Sequence, residues 1–257
     1  MAGEPELRVD AGGPTRTLTL NRPAKRNALN DALLEKLSAA LAAAANDEAV
    51  RTIVIAGAGA GFCSGRDRKD VGGPDSAKVQ LQDGSLDATV SLFAHVLSLL
   101  LRSPKPTIAA VQGFALGGGQ AITLACDFVV AARSARFGNP EMLHGFPAAM
   151  NTVLLARHLG RRKALEIAIT GASYGAEEYR ELGLVNRLAE PGKLAEATAA
   201  FAAELNQRAP WAVRRTKDLF RVAEDSDLQG LMHAGDQLNQ LLRLNGQTSR
   251  VFDDKTK

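Results

Sequence analysis

The sequence is poor in cysteine, in aromatic residues and in long apolar runs, and each shortage excludes a class of protein. Its two cysteines, Cys63 and Cys126, are too few for a disulfide framework or a cysteine-based metal cluster. Aromatic residues make up 5% of the chain, which leaves little for stacking on nucleic-acid bases. The apolar stretch 90–101 carries three polar residues and is too short to cross a bilayer.

What remains is the composition of an ordinary globular protein. Of 257 residues, 46% are apolar and 23% are charged. The formal net charge of +3 is too small to predict binding to nucleic acid or to a membrane. Residues 1–10 do not have the basic start and apolar run of a secretory signal. We therefore expect a cytoplasmic protein with reduced thiols, no membrane attachment and no nucleic-acid partner.

Strand and helix patterns alternate over roughly the first half of the chain. Thr15–Leu20 alternates polar and apolar residues as a half-buried strand does, and Thr52–Gly57 has the β-branched, apolar character of a buried strand. Further buried strands are predicted within 106–113 and 127–132, and Asn30 is placed to cap a helix with leucines every four residues. The alternation predicts an α/β layer architecture.

In the second part of the chain, from about Pro147 onward, the predicted elements are helices. Helical periodicity extends over 151–159, 162–170, 193–208, 210–223 and 228–244, with glycine or proline between these segments. Before this part, the glycine- and aspartate-rich stretch Val71–Asp87 predicts a mobile loop near the active face.

The glycine-rich segment Ala56–Asp70 is the first candidate site. A glycine-rich turn after a strand suggests dinucleotide binding, but Phe62 stands where G-x-G-x-x-G requires its third glycine. The alternative is a tight exposed loop in which glycine supplies positive φ. Ser64 and Cys63 suggest a nucleophile, yet no base partner stands at a spacing that would support a serine or cysteine hydrolase.

The second candidate is the glycine triplet Gly117, Gly118 and Gly119, which joins a predicted strand to a predicted helix. Backbone N–H groups at such a helix start are unobstructed and favour negative charge. If the loop around Arg66 comes near, two N–H groups converge on one oxygen as in an oxyanion hole. The alternative is that the glycines only allow the helix and strand to pack closely.

The third candidate is Glu141, which is flanked by Met142, Leu143, Phe146 and Pro147. Apolar surroundings raise the pKa of a carboxyl group, and a raised pKa suits a general acid or base. The alternative is a solvated loop carboxylate.

These segments resemble the enoyl-CoA hydratase/isomerase (crotonase) family. The resemblance covers nearly the whole chain and rests on six segments in the family's order: Leu20–Asn30, Gly61–Asp70, Lys105–Gly119, Ala135–Glu141, Gly171–Leu188 and Ala209–Phe220. It implies a spiral of ββα turns over residues 1–195 that carries an acyl-CoA site. It also implies a C-terminal helical region over 196–257 that closes the pocket and assembles homotrimers or homohexamers.

The resemblance also implies roles for individual residues. The amides of Arg66 and Gly118 are expected to donate to a thioester carbonyl, so that enolate charge is stabilised as it forms. Many relatives have a small residue at the position of Arg66, and we expect its side chain to be exposed. The alternative is that the side chain reaches a phosphate or a substrate carboxylate. The expected substrate-binding residues are Lys25, Arg26, Ser64, Asp67, Lys69, Gly117, Ala121 and His144. Neither a metal nor a separate cofactor is implied, because coenzyme A is part of the substrate.

One departure from the family pattern decides the predicted reaction. Hydratases of the family use two glutamates, but this chain has only Glu141 and carries Ala121 at the other position. A single carboxyl group suffices to move a proton between carbons of an enoyl-CoA, so the sequence favours double-bond isomerisation. The alternatives are a hydratase with an atypical second catalytic group, a non-catalytic member of the family, and an RNA-binding member.

Overall fold

The structure is a computed structural model that describes residues 4–10, 12–67, 79–80, 86–87, 91–225 and 237. The strands are β1 (Leu7–Asp10), β2 (Thr15–Leu20), β3 (Thr52–Gly57), β4 (Val79–Gln80), β5 (Leu86–Asp87), β6 (Thr107–Val111), β7 (Phe114–Leu116), β8 (Phe128–Ala132), β9 (Arg136–Gly138), β10 (Ser173–Gly175) and β11 (Arg187–Ala189). The helices are α1 (Asp31–Asn46), α2 (Leu92–Leu101), α3 (Gly118–Ala125), α4 (Ala149–His158), α5 (Arg161–Thr170), α6 (Ala176–Glu181), α7 (Leu194–Asn206) and α8 (Pro210–Asp225). Short 3-10 turns form at Pro23–Lys25 and Pro140–His144.

A six-stranded sheet in the order β1-β2-β3-β6-β8-β11 forms the centre of the fold. β1 runs antiparallel to β2, and the other neighbouring strands are parallel. All five residues of β6 are buried, as expected for a parallel strand covered on both faces. A smaller sheet in the order β10-β9-β7 adjoins the start of α3, and it brings Gly138, three residues before Glu141, to the glycine triplet.

Helices cover both faces of the central sheet. On one face, α1, α2 and α3 contribute to the main apolar core, in which Leu33, Leu37 and Phe62 are fully buried. On the other face, α7 packs Phe201 and Ala202 against Ile108 and Val130. This layered arrangement confirms the predicted α/β fold class.

Several predicted elements are confirmed almost residue by residue. β2 and β3 have the predicted bounds, and the Asn30 side chain caps α1 by accepting a hydrogen bond from the Leu33 amide at 3.0 Å. The sequence did not predict the short strands β7, β9, β10 and β11, because three residues are too few to show a period. β10 and β11 interrupt the part that was predicted to be helical throughout.

Two compact units divide the chain, Met1–Arg208 and Ala209–Lys257. The predicted border after residue 195 falls inside α7, and the role of 196–257 in trimer formation stays a prediction. The predicted helix over 228–244 lies outside the described residues except for Gln237, as does the predicted loop Val71–Asp87 except for β4 and β5. None of the helices in the described part of the chain is both long and apolar enough to span a membrane.

Candidate active site

The loop that carries Arg66 is fixed by main-chain hydrogen bonds to the segment before α1. The Leu29 amide donates to the Gly65 carbonyl at 2.8 Å, and the Asp67 amide donates to the Leu29 carbonyl at 2.9 Å. Since successive peptide groups of an extended segment alternate in direction, the Arg66 N–H points away from Leu29. It donates no hydrogen bond to any residue that the structure describes.

The glycine triplet brings a second free amide to the same place. Gly118 is the first residue of α3, where an N–H has no acceptor within the helix. A Cβ atom built on Gly118 would lie 3.2 Å from the Arg66 nitrogen, so the two peptide groups are neighbours. At Gly119 such an atom would lie 2.5 Å from the Cys63 carbonyl oxygen. Glycine is therefore required at position 119 because the backbone of Cys63 packs against it. At position 118, the close approach brings the Gly118 amide beside the Arg66 amide.

The Glu141 carboxyl group lies against the residue that precedes this amide. Gly117 has φ +50°, in the left-handed region that favours glycine. A Cβ atom there would lie 3.1 Å from Glu141 Oε2. The 3-10 turn Pro140–His144 presents the carboxyl group to Gly117, and the amide of Gly117 in turn donates to the Gly138 carbonyl at 2.9 Å.

Burial raises the pKa of the Glu141 carboxyl group, while its own backbone N–H and the Asn151 side chain partly oppose the rise. The predicted direction is confirmed, but the flanking residues are not what buries the group. Leu143 and Phe146 are 69% and 59% exposed. The carboxyl group lies against Gly117, whose carbonyl oxygen accepts a hydrogen bond from Asn151 Nδ2 at 2.9 Å.

A series of hydrogen bonds between buried side chains anchors the residue that precedes the Glu141 turn. The Tyr179 hydroxyl donates to Gln120 Oε1 at 3.1 Å, and Gln120 Nε2 donates to Asn139 Oδ1 at 3.2 Å. Asn139 Nδ2 completes the chain by donating to the Ile167 carbonyl at 3.3 Å. All three side chains are almost completely buried, so the network ties α3 to the residue two positions before Glu141.

The expectation that the Arg66 side chain is exposed is wrong. Its guanidinium donates to the Leu29 carbonyl at 2.9 Å and to Asp31 Oδ1 at 2.7 Å, and only 18% of the side chain is exposed. These bonds direct the charge toward the start of α1. Asp67 is engaged in a similar way, since it accepts from Arg22 Nη1 at 3.2 Å.

The other predicted binding residues are spread around this centre. Lys25 and Arg26 are exposed, and the Arg26 guanidinium lies 4.5 Å from the Phe114 ring centre. The Ser64 amide donates to the Arg26 carbonyl at 3.0 Å, which joins the two predicted coenzyme A loops. His144 is exposed at the end of the Glu141 turn, and Ala121 is fully buried in α3. Lys69 lies outside the described residues.

The structure gives little support to a cysteine nucleophile or to a bound metal ion at this site. Burial raises the pKa of the Cys63 thiol to about 12, so it is protonated at neutral pH and is a poor nucleophile. Within the part of the chain that the structure describes, no group of three or more His, Cys, Asp or Glu side chains is arranged to hold a metal ion. The expectation of a metal-free reaction stays a prediction.

A cavity of about 600 Å³ lies elsewhere, between α7 and the sheet face that carries Thr17, Thr19 and Ala56. Thr198 and Asn206 of α7 form its other wall. None of the predicted site residues in the described ranges lines this cavity, so it is separate from the Glu141 centre.

Sequence reasoning missed the polar residues that support Glu141. Asn151 shares the buried face of α4 with Leu154 and Leu155, at i+3 and i+4. A polar residue on an otherwise apolar helix face is the signal that would have identified it. Gln120 gives a similar signal, because the rest of α3 is small or apolar apart from Thr123.

Comparison with known proteins agrees with this architecture. A family model for enoyl-CoA hydratase/isomerase matches residues 15–244. A probable enoyl-CoA hydratase of Rhizobium meliloti is 38% identical over 221 residues, which cover 83% of this chain and 82% of that protein. The 2,3-dehydroadipyl-CoA hydratase of Escherichia coli is 36% identical over 238 residues, with coverage of 92% and 90%.

The fold is shared as well. The crystal structure of enoyl-CoA hydratase from Mycobacterium smegmatis superimposes with a TM-score of 0.83 at 32% identity, covering 96% of each chain. The chain therefore belongs to the enoyl-CoA hydratase/isomerase family and has the crotonase fold.

Proposed function

We propose that this chain isomerises the double bond of an enoyl-CoA, with Glu141 as its single acid and base. The observation that carries the proposal is that two amides, neither with an acceptor among the described residues, and one half-buried carboxyl group lie together around Gly117 and Gly118. Family membership supports an acyl-CoA substrate. Ala121, fully buried where family hydratases have a second glutamate, supports isomerisation over hydration.

The reaction begins when the thioester oxygen of a 3-enoyl-CoA accepts hydrogen bonds from the amides of Arg66 and Gly118. Glu141 removes a proton from C2, and the electron pair spreads over C2, C4 and the thioester oxygen. The two amides stabilise the negative charge on that oxygen as it develops. Glu141 then returns the proton to C4, which yields the 2-enoyl-CoA and restores the carboxylate.

Hydration of a 2-enoyl-CoA is the second candidate function. It is supported by the relatives named hydratases, among them the protein of Escherichia coli. Adding water requires that a water molecule be held and activated beside the double bond. A group other than Glu141 would have to share that task, since Ala121 has no functional group.

The remaining expectations belong to the same proposal. Coenzyme A contacts the loops of Lys25, Arg26 and Ser64 and enters as part of the substrate, without a separate cofactor. Assembly as a homotrimer or homohexamer and a cytoplasmic location stay predictions, as does the expected lack of nucleic-acid binding.

The test compares the wild-type protein with Glu141→Gln on 3-enoyl-CoA and 2-enoyl-CoA. Removing a positioned acid and base costs about 10²- to 10⁴-fold in rate, so we expect isomerisation to fall by that factor. Glu177→Gln, which removes an exposed carboxylate on α6 paired with Arg133, is the matched control and should be unaffected.

The pH dependence adds a second readout. Because the pKa of Glu141 is raised, protonation removes the base at a higher pH than for an ordinary glutamate. On the acidic side of the kcat/KM profile, the apparent pKa should therefore lie above the usual glutamate value of about 4.3.

Equal rates for wild type and Glu141→Gln would refute the mechanism. Acyl-CoA binding without turnover would indicate a non-catalytic member, and salt-sensitive RNA retardation would indicate an RNA-binding one.

A further inference from the structure

Asn151 is a buried polar residue to which neither the sequence pattern nor the family resemblance gives a role. It lies in the first turn of α4 and is 3% exposed. Its Nδ2 atom donates to the Gly117 carbonyl oxygen at 2.9 Å. Its Oδ1 atom has no hydrogen-bond partner among the residues that the structure describes. The side chain is therefore held through its NH₂ group.

The bond to Gly117 bears directly on the Gly118 amide. The carbonyl of Gly117 and the N–H of Gly118 belong to one planar peptide group, so fixing the direction of one fixes the other. The Gly117 oxygen accepts a second hydrogen bond from the Ala121 amide at 3.0 Å. Two donors thus hold this peptide plane, and donation to its oxygen polarises its N–H.

Asn151 also acts on the carboxyl group of the proposed mechanism. Glu141 Oε2 lies against Gly117, the residue whose carbonyl Asn151 holds, and the Asn151 side chain opposes the rise in the pKa of Glu141. One primary amide therefore holds both the peptide that carries the Gly118 donor and the residue against which the carboxyl group lies.

We propose that Asn151 is a positioning residue that fixes the Gly117–Gly118 peptide and the Glu141 carboxyl group relative to each other. The inference rests on the proposed function and extends it by one residue. It also accounts for a buried amide whose oxygen has no partner in the described residues, since an unpaired buried acceptor destabilises the fold and needs a compensating gain.

No charged side chain in the described part of the chain contributes to the shifted pKa of Glu141. The titratable groups on the same turn and on the two helices that follow it are His144, then Arg157 and His158 on α4, and Arg161, Arg162, Lys163 and Glu166 on α5. None of them is a cause of the shift. The Asn151 side chain favours the ionised carboxylate, so removing its amide should raise that pKa further.

The experiment compares Asn151→Leu, which keeps the size of the side chain and removes its donor, with wild type. We expect kcat for isomerisation to fall about 10- to 100-fold, less than the ~10²- to 10³-fold cost of deleting an oxyanion donor outright. KM should change little, and the acidic limb of the kcat/KM profile should move to higher pH. A role in packing alone would not move that limb. Thr152→Val, which removes a hydroxyl bond to the Ala148 carbonyl in the same turn, is the matched control.

A second variant covers the case in which Asn151→Leu does not fold. Asn151→Asp keeps the shape but places a carboxylate against the Gly117 carbonyl and Glu141, so it should lower kcat and shift the acidic limb further. The carbonyl stretch of a bound thioester, measured by difference infrared spectroscopy, should also be less displaced in either variant.

Failure of the inference is distinguishable from failure of the proposed function. If Glu141→Gln is inactive while a folded Asn151 variant keeps the wild-type kcat and pH limb, Asn151 has no positioning role. If Glu141→Gln retains the wild-type rate, the proposed reaction itself is wrong.

Discussion

The two halves of the proposed active site are held in place by different kinds of bond. The Arg66 amide is set by main-chain pairing with Leu29, and the Gly118 amide by its place at the start of α3. The Glu141 carboxyl group depends instead on side chains, through Asn139 just before its turn and Asn151, which holds the carbonyl of the adjacent Gly117.

This difference predicts where the site tolerates substitution. A main-chain donor survives the replacement of its side chain, because its N–H belongs to the backbone. A carboxyl group held by side chains is displaced when a supporting side chain is lost. Substitutions on the amide half should therefore matter only when they remove an N–H or distort the backbone.

The largest effect is expected for Gly118→Pro, which removes one of the two amide hydrogens. Proline is tolerated at the first position of a helix, so α3 should still form. We expect kcat to fall about 10²- to 10³-fold, the usual cost of losing an oxyanion donor. Gly118→Ala adds the same Cβ atom but keeps the N–H, and steady-state kinetics of the pair isolates the contribution of the hydrogen. Equal losses in both variants would contradict the role of this amide.

An intermediate effect is expected for Tyr179→Phe, on the carboxyl half. The substitution leaves Gln120 Oε1 without its donor, and an unpaired buried acceptor costs about 1–3 kcal/mol of unfolding free energy. Denaturant titration measures that loss, and kcat should fall because the Asn139 contact loosens. Tyr174→Phe is the control, since it removes a hydroxyl bond to Glu166 outside the network. A network without influence on Glu141 would leave the kcat of Tyr179→Phe unchanged.

The smallest effect is expected for Arg66→Ala. The variant loses the bonds to Leu29 and Asp31 but keeps the amide and its main-chain pairing. A partly exposed ion pair contributes up to about 1 kcal/mol, so we expect a small loss of stability and less than a tenfold change in kcat. A fall in kcat as large as that of Gly118→Pro would show that the Arg66 side chain, and not its amide, contributes to catalysis.

The contrast between main-chain and side-chain bonds also explains which features could be predicted from the sequence. Four strands of the central sheet (β2, β3, β6 and β8), the Asn30 cap and the glycine triplet follow local rules of period and capping, and the structure confirms them. Glu141 and the direction of its pKa shift were proposed from its sequence neighbours, and its role was proposed from the resemblance. Its supports depend on other elements that only the folded chain brings together, because Asn151 lies on α4 and Asn139 is held by Gln120 of α3. A side chain such as Arg66, whose partner Asp31 is 35 residues away, cannot be placed from local pattern alone.

The most direct test of the central claim is to incubate the protein with a 3-enoyl-CoA in D₂O and follow the product by NMR. Transfer by one carboxyl group predicts a 2-enoyl-CoA in which part of the hydrogen gained at C4 is protium from C2, with product formation by Glu141→Gln slowed about 10²- to 10⁴-fold. A 3-hydroxyacyl-CoA as the principal product, or undiminished isomerisation by Glu141→Gln, would contradict the account.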